Sequence, residues 1–158
     1  MTIRSIEIHR AHIELIAPFQ TSFGVETDRN LLYVRVIGDE AEGWGECVAM
    51  TDPLYSSEYV DGCEDVLRRY LIPCVKSQST LQSVLAAMTA FRGNYMAKAT
   101  LEAALLDYFT RLEGVSLAAH LGATQTRVAS GVSVGIQPTI DALLDVVGRY
   151  VEIGRAHV

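Results

Sequence analysis

The sequence G-W-G-E-C-V-A-M-T-D-P-L-Y-S-S-E-Y-V-D-G, residues 43–62, is the stretch around which the predicted fold is organised. It begins with a strand pattern, becomes polar around Asp52, and continues as a predicted helix that Ser57 can cap. Met50 and Tyr55 fall in the predicted loop. Because a loop held between two rigid elements commonly carries ligand-contacting side chains, we expect Met50 and Tyr55 to contact a ligand.

Two further strands are predicted upstream of this loop. Apolar and polar residues alternate over residues 6–8 and the phase then shifts to Ile13, which predicts one long strand with a bulge or bend near residues 10–12. Residues 32–36 alternate in the same way and lead through a polar turn into residues 42–48. The sequence therefore predicts a three-stranded antiparallel sheet.

Two glycines on the last of these strands flank the only tryptophan of the chain. Gly43 and Gly45 lie two residues apart, so they point to the same face of a strand. Glycines in a strand interior indicate a bulge or the close approach of another backbone.

The stretch A-P-F-Q-T-S-F-G-V-E-T-D-R-N, residues 17–30, shows neither a helical nor a strand period. An irregular stretch of this length in a compact domain is usually functional or disordered. Phe19 and Phe23 beside the flexible Gly24 predict a lid whose apolar side closes over a ligand. The alternative is that both rings anchor the loop to the hydrophobic core.

Four helices are predicted after the loop. Ser57 and Thr80 are candidate N-caps of the first two, Gly114 ends the third, and the fourth is a short element from Ser116 to Leu121. Their apolar residues recur at helical spacing and are assigned to the core: Cys63, Leu67, Tyr70; Leu81, Val84, Leu85, Met88; Leu101, Leu105, Tyr108, Leu112.

A strand followed directly by a helix is predicted near the end of the chain. Residues 128–136 form a predicted short strand of mostly small residues, and Thr139 begins an amphipathic helix with Ile140, Leu143, Val147 and Val151 directed inward. This is half of a βαβ unit, and one such unit cannot bury itself. We therefore expect the start of a second, α/β domain with part of its apolar surface uncovered.

Composition narrows the class of protein. The 158 residues are 49% hydrophobic and 20% charged, with a net charge of −6, so nucleic acid is not an expected partner. No apolar run is long enough to span a membrane, and the N-terminus lacks the pattern of a signal peptide. The three cysteines show no C-x-x-C pairing and are interpreted as buried, reduced thiols of a cytoplasmic protein.

Several motifs occur in a recognisable order: P-F-Q-T-S-F-G at 18–24, E-G-W-G-E-C-V-A-M at 42–50, P-L-Y-S-S-E-Y-V-D-G at 53–62, M-A-K-A-T-L-E-A-A-L-L-D at 96–107, and G-V-S-V-G-I at 131–136. Together they resemble the o-succinylbenzoate synthase / N-acylamino-acid racemase group of the enolase superfamily.

The resemblance implies an α+β fold in two parts. Residues 1–125 would form the capping domain, a three-stranded antiparallel sheet plus helices, and residues 126–152 the first βα unit of a truncated (β/α) barrel. Residues 153–158, I-G-R-A-H-V, correspond to one reading frame of a common sequencing adapter. They are interpreted as a non-native tail, so the chain is expected to be an N-terminal fragment.

The resemblance also implies a chemistry. A Mg²⁺-dependent enzyme would remove the proton α to a carboxylate, either to eliminate water and form o-succinylbenzoate in menaquinone synthesis or to racemise N-acylamino acids. Its lysine bases and metal ligands would lie beyond Glu152, so this chain would hold no catalytic residue and would be inactive alone. The longer enzyme would act on a small carboxylate and form a homo-oligomer.

The resemblance also implies which residues of this sequence bind the substrate. Phe19 and Phe23 correspond to the family's mobile lid, Met50 and Tyr55 to its second capping loop, and Ser133 to a pocket-facing residue of the first barrel strand. Two alternatives stay open. The enzyme could be a dipeptide epimerase or muconate cycloisomerase, or the chain could be a non-catalytic ligand-binding capping module.

Overall fold

A computed structural model describes residues 3–75 and 80–152. Strands β1 (Ile3–Thr21), β2 (Gly24–Gly38) and β3 (Glu42–Cys47) form one sheet in the order β1-β2-β3. Strands β2 and β3 pair antiparallel from Leu32 opposite Cys47 to Ile37 opposite Glu42. The alternation over residues 32–36 therefore sets the buried face of the sheet, and the predicted three-stranded sheet is confirmed.

The first two strands extend further than the sequence predicts. Strand β1 runs without a break through residues 10–12, and residues 17–30 form a β-hairpin instead of an irregular loop. The Thr21 hydroxyl accepts a hydrogen bond from the Phe23 amide (3.3 Å) and donates one to the Gly24 carbonyl (3.1 Å). Gly24 has a φ of 154°, which L side chains rarely adopt, so the tight turn depends on this glycine.

The helices are α1 (Val60–Val66), which continues as a π-helical segment (Leu67–Leu71), α2 (Ile72–Val75), α3 (Leu81–Met88), α4 (Tyr95–Glu113), α5 (Leu117–His120) and α6 (Ile140–Glu152). Thr80 caps α3 in a reciprocal arrangement with Ser83, and Ser116 caps α5. Gly114 ends α4 in the left-handed conformation, with a φ of 67°. The predicted caps Thr80 and Gly114 are confirmed, whereas Ser116 was predicted only as the first residue of its short element.

Two predictions about the first helix are wrong. It begins at Val60 because the Ser57 region belongs to the loop, where the Ser56 hydroxyl accepts a hydrogen bond from the Glu58 amide (3.0 Å). Tyr70 is 47% exposed, and Leu71 is buried in its place. The hydrogen bonds of a π-helical turn span one residue more than those of an α-helix, so the core-facing position moves from Tyr70 to Leu71.

The hydrophobic core lies between the sheet and helices α1 to α4. Helix α4 packs directly on β3, because Gly43 and Gly45 are buried and have no side chain to separate the two backbones. A Cβ on Gly45 would collide with the backbone of Thr100 and Ala104 in α4. The close backbone approach predicted from the two glycines is confirmed. The largest fully buried side chains are Tyr108, Leu32, Leu67, Leu71, Leu101 and Leu105.

The chain divides into two compact units, Met1–Ile13 with Arg29–Ala123 and Glu14–Asp28 with Thr124–Val158. In the second unit, the predicted strand over 128–136 is not a regular strand, although the Ile136 amide donates to the Gln20 carbonyl (2.9 Å). A parallel strand needs neighbours that supply a full hydrogen-bond ladder, and residues 124–152 contain no other strand to do so. The predicted tail, 153–158, lies outside the described residues.

Helix α6 forms where predicted, and the apolar residues expected to face inward are uncovered, as expected for the start of a second domain. Thr139 caps the helix through the Ala142 amide (3.1 Å). Ile140 is 76% exposed and Val151 is 50% exposed, and no residue of α6 is buried. The expected uncovered apolar surface is therefore present on α6, whereas Val132 and Val134 are half-buried. No helix in the described ranges is long and apolar enough to cross a membrane.

An ion-pair network ties β1 to α1 in the first unit. The Arg10 guanidinium donates to Glu64 and to Asp61, at 2.6 Å each, and Arg68 donates to the other oxygen of Glu64 at 2.7 Å. Burial by itself would raise the pKa of the Glu64 carboxyl, but the hydrogen bonds from Arg68 and Arg10 outweigh it and hold that pKa below its ordinary value.

We expect Glu64→Gln to lower the free energy of unfolding by about 1 kcal/mol at pH 7. A carboxyl whose pKa is lower in the folded state stabilises fully above its unfolded pKa of about 4.3, and this contribution disappears as the pH falls through the folded pKa. Urea unfolding followed by Trp44 fluorescence at pH 7 and pH 3 checks the prediction. The exposed Glu46→Gln is the charge-matched control, and a difference that persists undiminished at pH 3 would contradict the assignment.

Candidate functional site

The first candidate element is the 50–59 loop, residues 50–59, in the first unit. Its two ends meet, because Met50 and Tyr59 form an isolated parallel bridge and the Val60 amide donates to the Met50 carbonyl (2.9 Å). The Leu54 amide bonds to the Asp52 carbonyl (2.8 Å) and tightens the apex. The loop is therefore a closed, hydrogen-bonded turn on the surface and not an open connection.

The two predicted residues of this loop occupy different positions. Met50 is half-buried at the closed base, whereas Tyr55 is 72% exposed at the apex beside the exposed Leu54. Tyr55 thus presents a large amphipathic surface to solvent, which suits ligand contact.

Polar side chains link the base of the loop to the sheet. The Asn30 amide group on β2 donates to the Thr51 hydroxyl (3.1 Å), and its carbonyl oxygen lies 3.2 Å from His12 Nδ1 on β1. His12 is exposed. The sequence pattern does not reveal its contact with Asn30, because strand pairing creates that contact.

Glu58 is a residue of the site that the sequence interpretation missed. Its carboxylate accepts hydrogen bonds from the first three amides of α4, at 2.7 Å from Tyr95, 2.9 Å from Met96 and 3.3 Å from Ala97. These partners lie 37 to 39 residues further along the chain, so no local spacing rule could identify them.

The second candidate element is the β1–β2 turn, residues 19–24, in the second unit. Phe19 is half-buried and Phe23 is 44% exposed at the turn itself. Neither ring belongs to the hydrophobic core cluster, which leaves the core-anchor alternative without support in the residues described. The segment predicted as a lid is therefore a short hairpin turn in which Phe19 is half-buried and Phe23 is exposed.

The segment that carries Ser133 runs beside this turn within the second unit. The Ile136 amide donates to the Gln20 carbonyl, and a Cβ on Gly135 would lie 3.2 Å from the Phe19 ring. Ser133 is exposed two residues before Gly135. The structure thus brings Phe19 to the segment of Ser133, whereas Met50 and Tyr55 lie in the first unit.

The outer face of the sheet carries a separate polar cluster. The Arg35 guanidinium lies 5.3 Å from the centre of the Trp44 ring, and the His9 ring lies 5.7 Å from it. The hydrogen bond from Arg35, followed by that from Trp44 Nε1, lowers the pKa of Glu42. Asp107 pairs with Arg111 within α4 and also accepts a hydrogen bond from the Trp44 amide (2.9 Å), so it joins α4 to β3.

A further feature of the described residues is the set of side chains that could bind a metal ion or react as thiols. In residues 3–75 and 80–152, no three His, Cys, Asp or Glu side chains lie close enough to hold a metal ion. Cys47 and Cys63 are buried thiols as predicted, but Cys74 is half-buried. Cys63 lies in the hydrophobic core, where a hydrogen bond with Cys47, together with burial, raises its pKa.

The family model described as "Mandelate racemase / muconate lactonizing enzyme, N-terminal domain" matches residues 4–122. This range contains the 50–59 loop, helices α1 to α5 and all of the sheet except Ile3. The chain belongs to the mandelate racemase / muconate lactonizing enzyme family. The α+β capping-domain fold of the enolase superfamily, expected from the motifs, is therefore confirmed.

Two relatives and one solved structure extend this result beyond residue 122. The N-succinylamino acid racemase of Amycolatopsis sp is 47% identical over 160 residues, and the o-succinylbenzoate synthase of Geobacillus kaustophilus is 39% identical over 157 residues. They cover 100% and 98% of this chain. An enolase-superfamily member from Listeria innocua superposes with a TM-score of 0.88 over 97% of the chain at 30% identity.

The resemblance to the o-succinylbenzoate synthase / N-acylamino-acid racemase group is confirmed by these relatives. This member of the mandelate racemase / muconate lactonizing enzyme family spans only 44% of the Amycolatopsis enzyme and 42% of the Geobacillus enzyme. It likewise covers 42% of the Listeria chain.

Proposed function

We propose that this chain is the substrate-selecting N-terminal part of an o-succinylbenzoate synthase / N-acylamino-acid racemase. The observation that carries the proposal is the similarity along the whole chain, including residues 123–152, to relatives that bear these two names. Both reactions begin by removing a proton α to a carboxylate, so one scaffold can support either of them. Residues 1–125 are the capping domain and residues 126–152 the beginning of the barrel in this proposal.

The chemical groups of the reaction are assigned to the rest of the longer enzyme. The described residues offer no triad of metal ligands, and they contain Lys98 as their one lysine, whose ammonium donates to the Phe91 carbonyl (2.5 Å). In this proposal the bases and the Mg²⁺ ligands belong to the longer enzyme beyond Glu152, and the chain alone is inactive. The whole enzyme is cytoplasmic, homo-oligomeric and specific for a small carboxylate.

The residues of this chain select the substrate. Phe19 and Phe23 offer apolar surface for a succinyl or acyl chain, and the exposed Tyr55 offers a ring with a hydroxyl that can bond a polar end. Met50 is an adaptable apolar contact at the base of the loop, and Ser133 supplies a small polar group.

The exposed apolar side chains of α6 and Val128 argue against the alternative that the chain is a free-standing capping module. Helix α6 exposes several large apolar side chains, and nearby Val128 is 80% exposed. A soluble module that functions by itself rarely leaves such a surface uncovered. A barrel that continues past α6 would cover it.

The proposal is tested by sequencing the genomic locus past codon 152 and expressing the continuous reading frame. We expect Lys-x-Lys followed by spaced acidic residues, and turnover of both the hydrated precursor of o-succinylbenzoate and an N-succinyl amino acid. The 158-residue chain, assayed in parallel, is expected to turn over neither. A full-length protein that acts only on a dipeptide or on muconate, or a native stop codon after Val158, would overturn the proposal.

A further inference from the structure

The N-terminus of helix α4 is capped from outside the helix. Asn94 occupies the N-cap position, but it adopts the left-handed conformation with a φ of 55° and makes no capping side-chain bond. The first amides of a helix have no partner within the helix and need one elsewhere. The Glu58 carboxylate supplies it, with Oε1 on the Tyr95 amide and Oε2 on the Met96 and Ala97 amides.

The hydrogen bonds from the α4 amides to the Glu58 carboxylate are stronger than those to a neutral acceptor. A carboxylate that accepts several amide bonds at the positive end of a helix gains both charge-assisted hydrogen bonds and the attraction of the helix dipole. Glu58 is half-buried, so solvent competes less for these bonds, and Cys63 Sγ lies 3.8 Å from Oε2 as a further donor. Glu58 is therefore held at one place relative to α4.

The same residue closes the 50–59 loop. The Ser56 hydroxyl accepts from the Glu58 amide (3.0 Å), lies 3.1 Å from the Glu58 carbonyl, and reaches Met96 Sδ at 3.9 Å. The next residue, Tyr59, pairs with Met50 across the base of the loop. Tyr55 therefore lies between Met50, which pairs with the residue after Glu58, and Ser56, which bonds to Glu58 directly.

We propose that Glu58 is a positioning residue that fixes the 50–59 loop on α4 and thereby sets the substrate selectivity exerted through Met50 and Tyr55. The selectivity part of this inference rests on the proposed function, whereas the fixing of the loop does not. Glu58 acts through the loop and does not itself contact the substrate.

Hydrogen–deuterium exchange on the 158-residue chain tests the fixing of the loop. Glu58→Ala is expected to accelerate exchange at the Tyr95–Ala97 amides and across the 50–59 loop by about tenfold or more, while the α4 amides near Leu105 change much less. Glu58→Gln keeps one amide-accepting oxygen and should give an intermediate acceleration. Glu46→Gln is the control for loss of charge. Unchanged exchange in the loop of Glu58→Gln and Glu58→Ala would overturn the proposal.

Steady-state kinetics of the full-length enzyme test the selectivity. Glu58→Ala is expected to change the ratio of kcat/KM for the two substrates by about tenfold, mainly through KM, and Glu58→Gln should restore part of it. A merely structural role would lower kcat/KM for both substrates alike, and that result would overturn the positioning role. If the unsubstituted enzyme turns over neither substrate, the proposed function fails, and the exchange experiment still decides whether Glu58 fixes the loop.

Discussion

Gly45→Ala is expected to lower the free energy of unfolding of the first unit by about 3 kcal/mol or more. The added methyl group would lie against the Thr100 carbonyl and 2.7 Å from the Ala104 amide nitrogen, both in the backbone of α4. A flexible side chain could move aside, but the backbone of a packed helix cannot do so without shifting the whole helix. The sheet and α4 must therefore separate, and the core between them loosens.

Urea unfolding followed by far-UV circular dichroism measures the effect, since α4 is the longest helix of the described chain. Gly148→Ala is the matched control, because it makes the same chemical change in α6, where no atom lies within 4 Å of the added Cβ. The control should leave the first unit unchanged. Equal stability of Gly45→Ala and the unsubstituted chain would show that α4 does not contact β3 as closely as described.

Tyr108→Ala is expected to lower the free energy of unfolding by about 4 kcal/mol, because it empties the largest fully buried side-chain site. The ring packs edge-on against Phe109 with centroids 5.3 Å apart, and its hydroxyl end lies where a Cβ on Gly38 would be. The cavity would lie between α4 and the sheet, where rigid neighbours cannot collapse into it.

Tyr108→Phe removes the hydroxyl and keeps the ring, so it is expected to lower stability by about 1 kcal/mol or less. Tyr95→Ala removes the same group from a position that is 74% exposed on the same helix and should change stability by about 0.5 kcal/mol or less. A loss in Tyr95→Ala as large as that in Tyr108→Ala would contradict the described burial. Trp44 fluorescence provides an independent measure of the transition.

The elements predicted well from sequence are those whose signals are local. Thr80 and Gly114 act on amides or carbonyls within a few residues, so their capping roles could be predicted from residue type and spacing. The buried face of β2 follows from the alternation that ends at Val36. The backbone contact of Gly45 was predicted as one of two possibilities, because glycine has few other uses in a strand interior.

The elements predicted wrongly depend on partners elsewhere in the chain. The hairpin over 17–30 lacks alternation, and cross-strand hydrogen bonding between β1 and β2 stabilises it instead. The π-helical turn at Leu67 has no local sequence signal, so Tyr70 was assigned to the core in place of Leu71. The 128–136 segment has the composition of a strand, but residues 124–152 contain no further strand to pair with it.

The amino-acid sequence by itself determined the family, the three-stranded sheet, the Thr80 and Gly114 caps and the residues proposed to contact the substrate, because short-range patterns and motifs carry each of these signals. Only the tertiary structure showed that the Glu58 carboxylate caps α4, that Asn30 joins His12 to Thr51, and that Asp107 bonds the Trp44 amide. The physical reason is that a hydrogen bond acts over about 3 Å of space irrespective of the chain length between its partners. Folding alone brings such partners together.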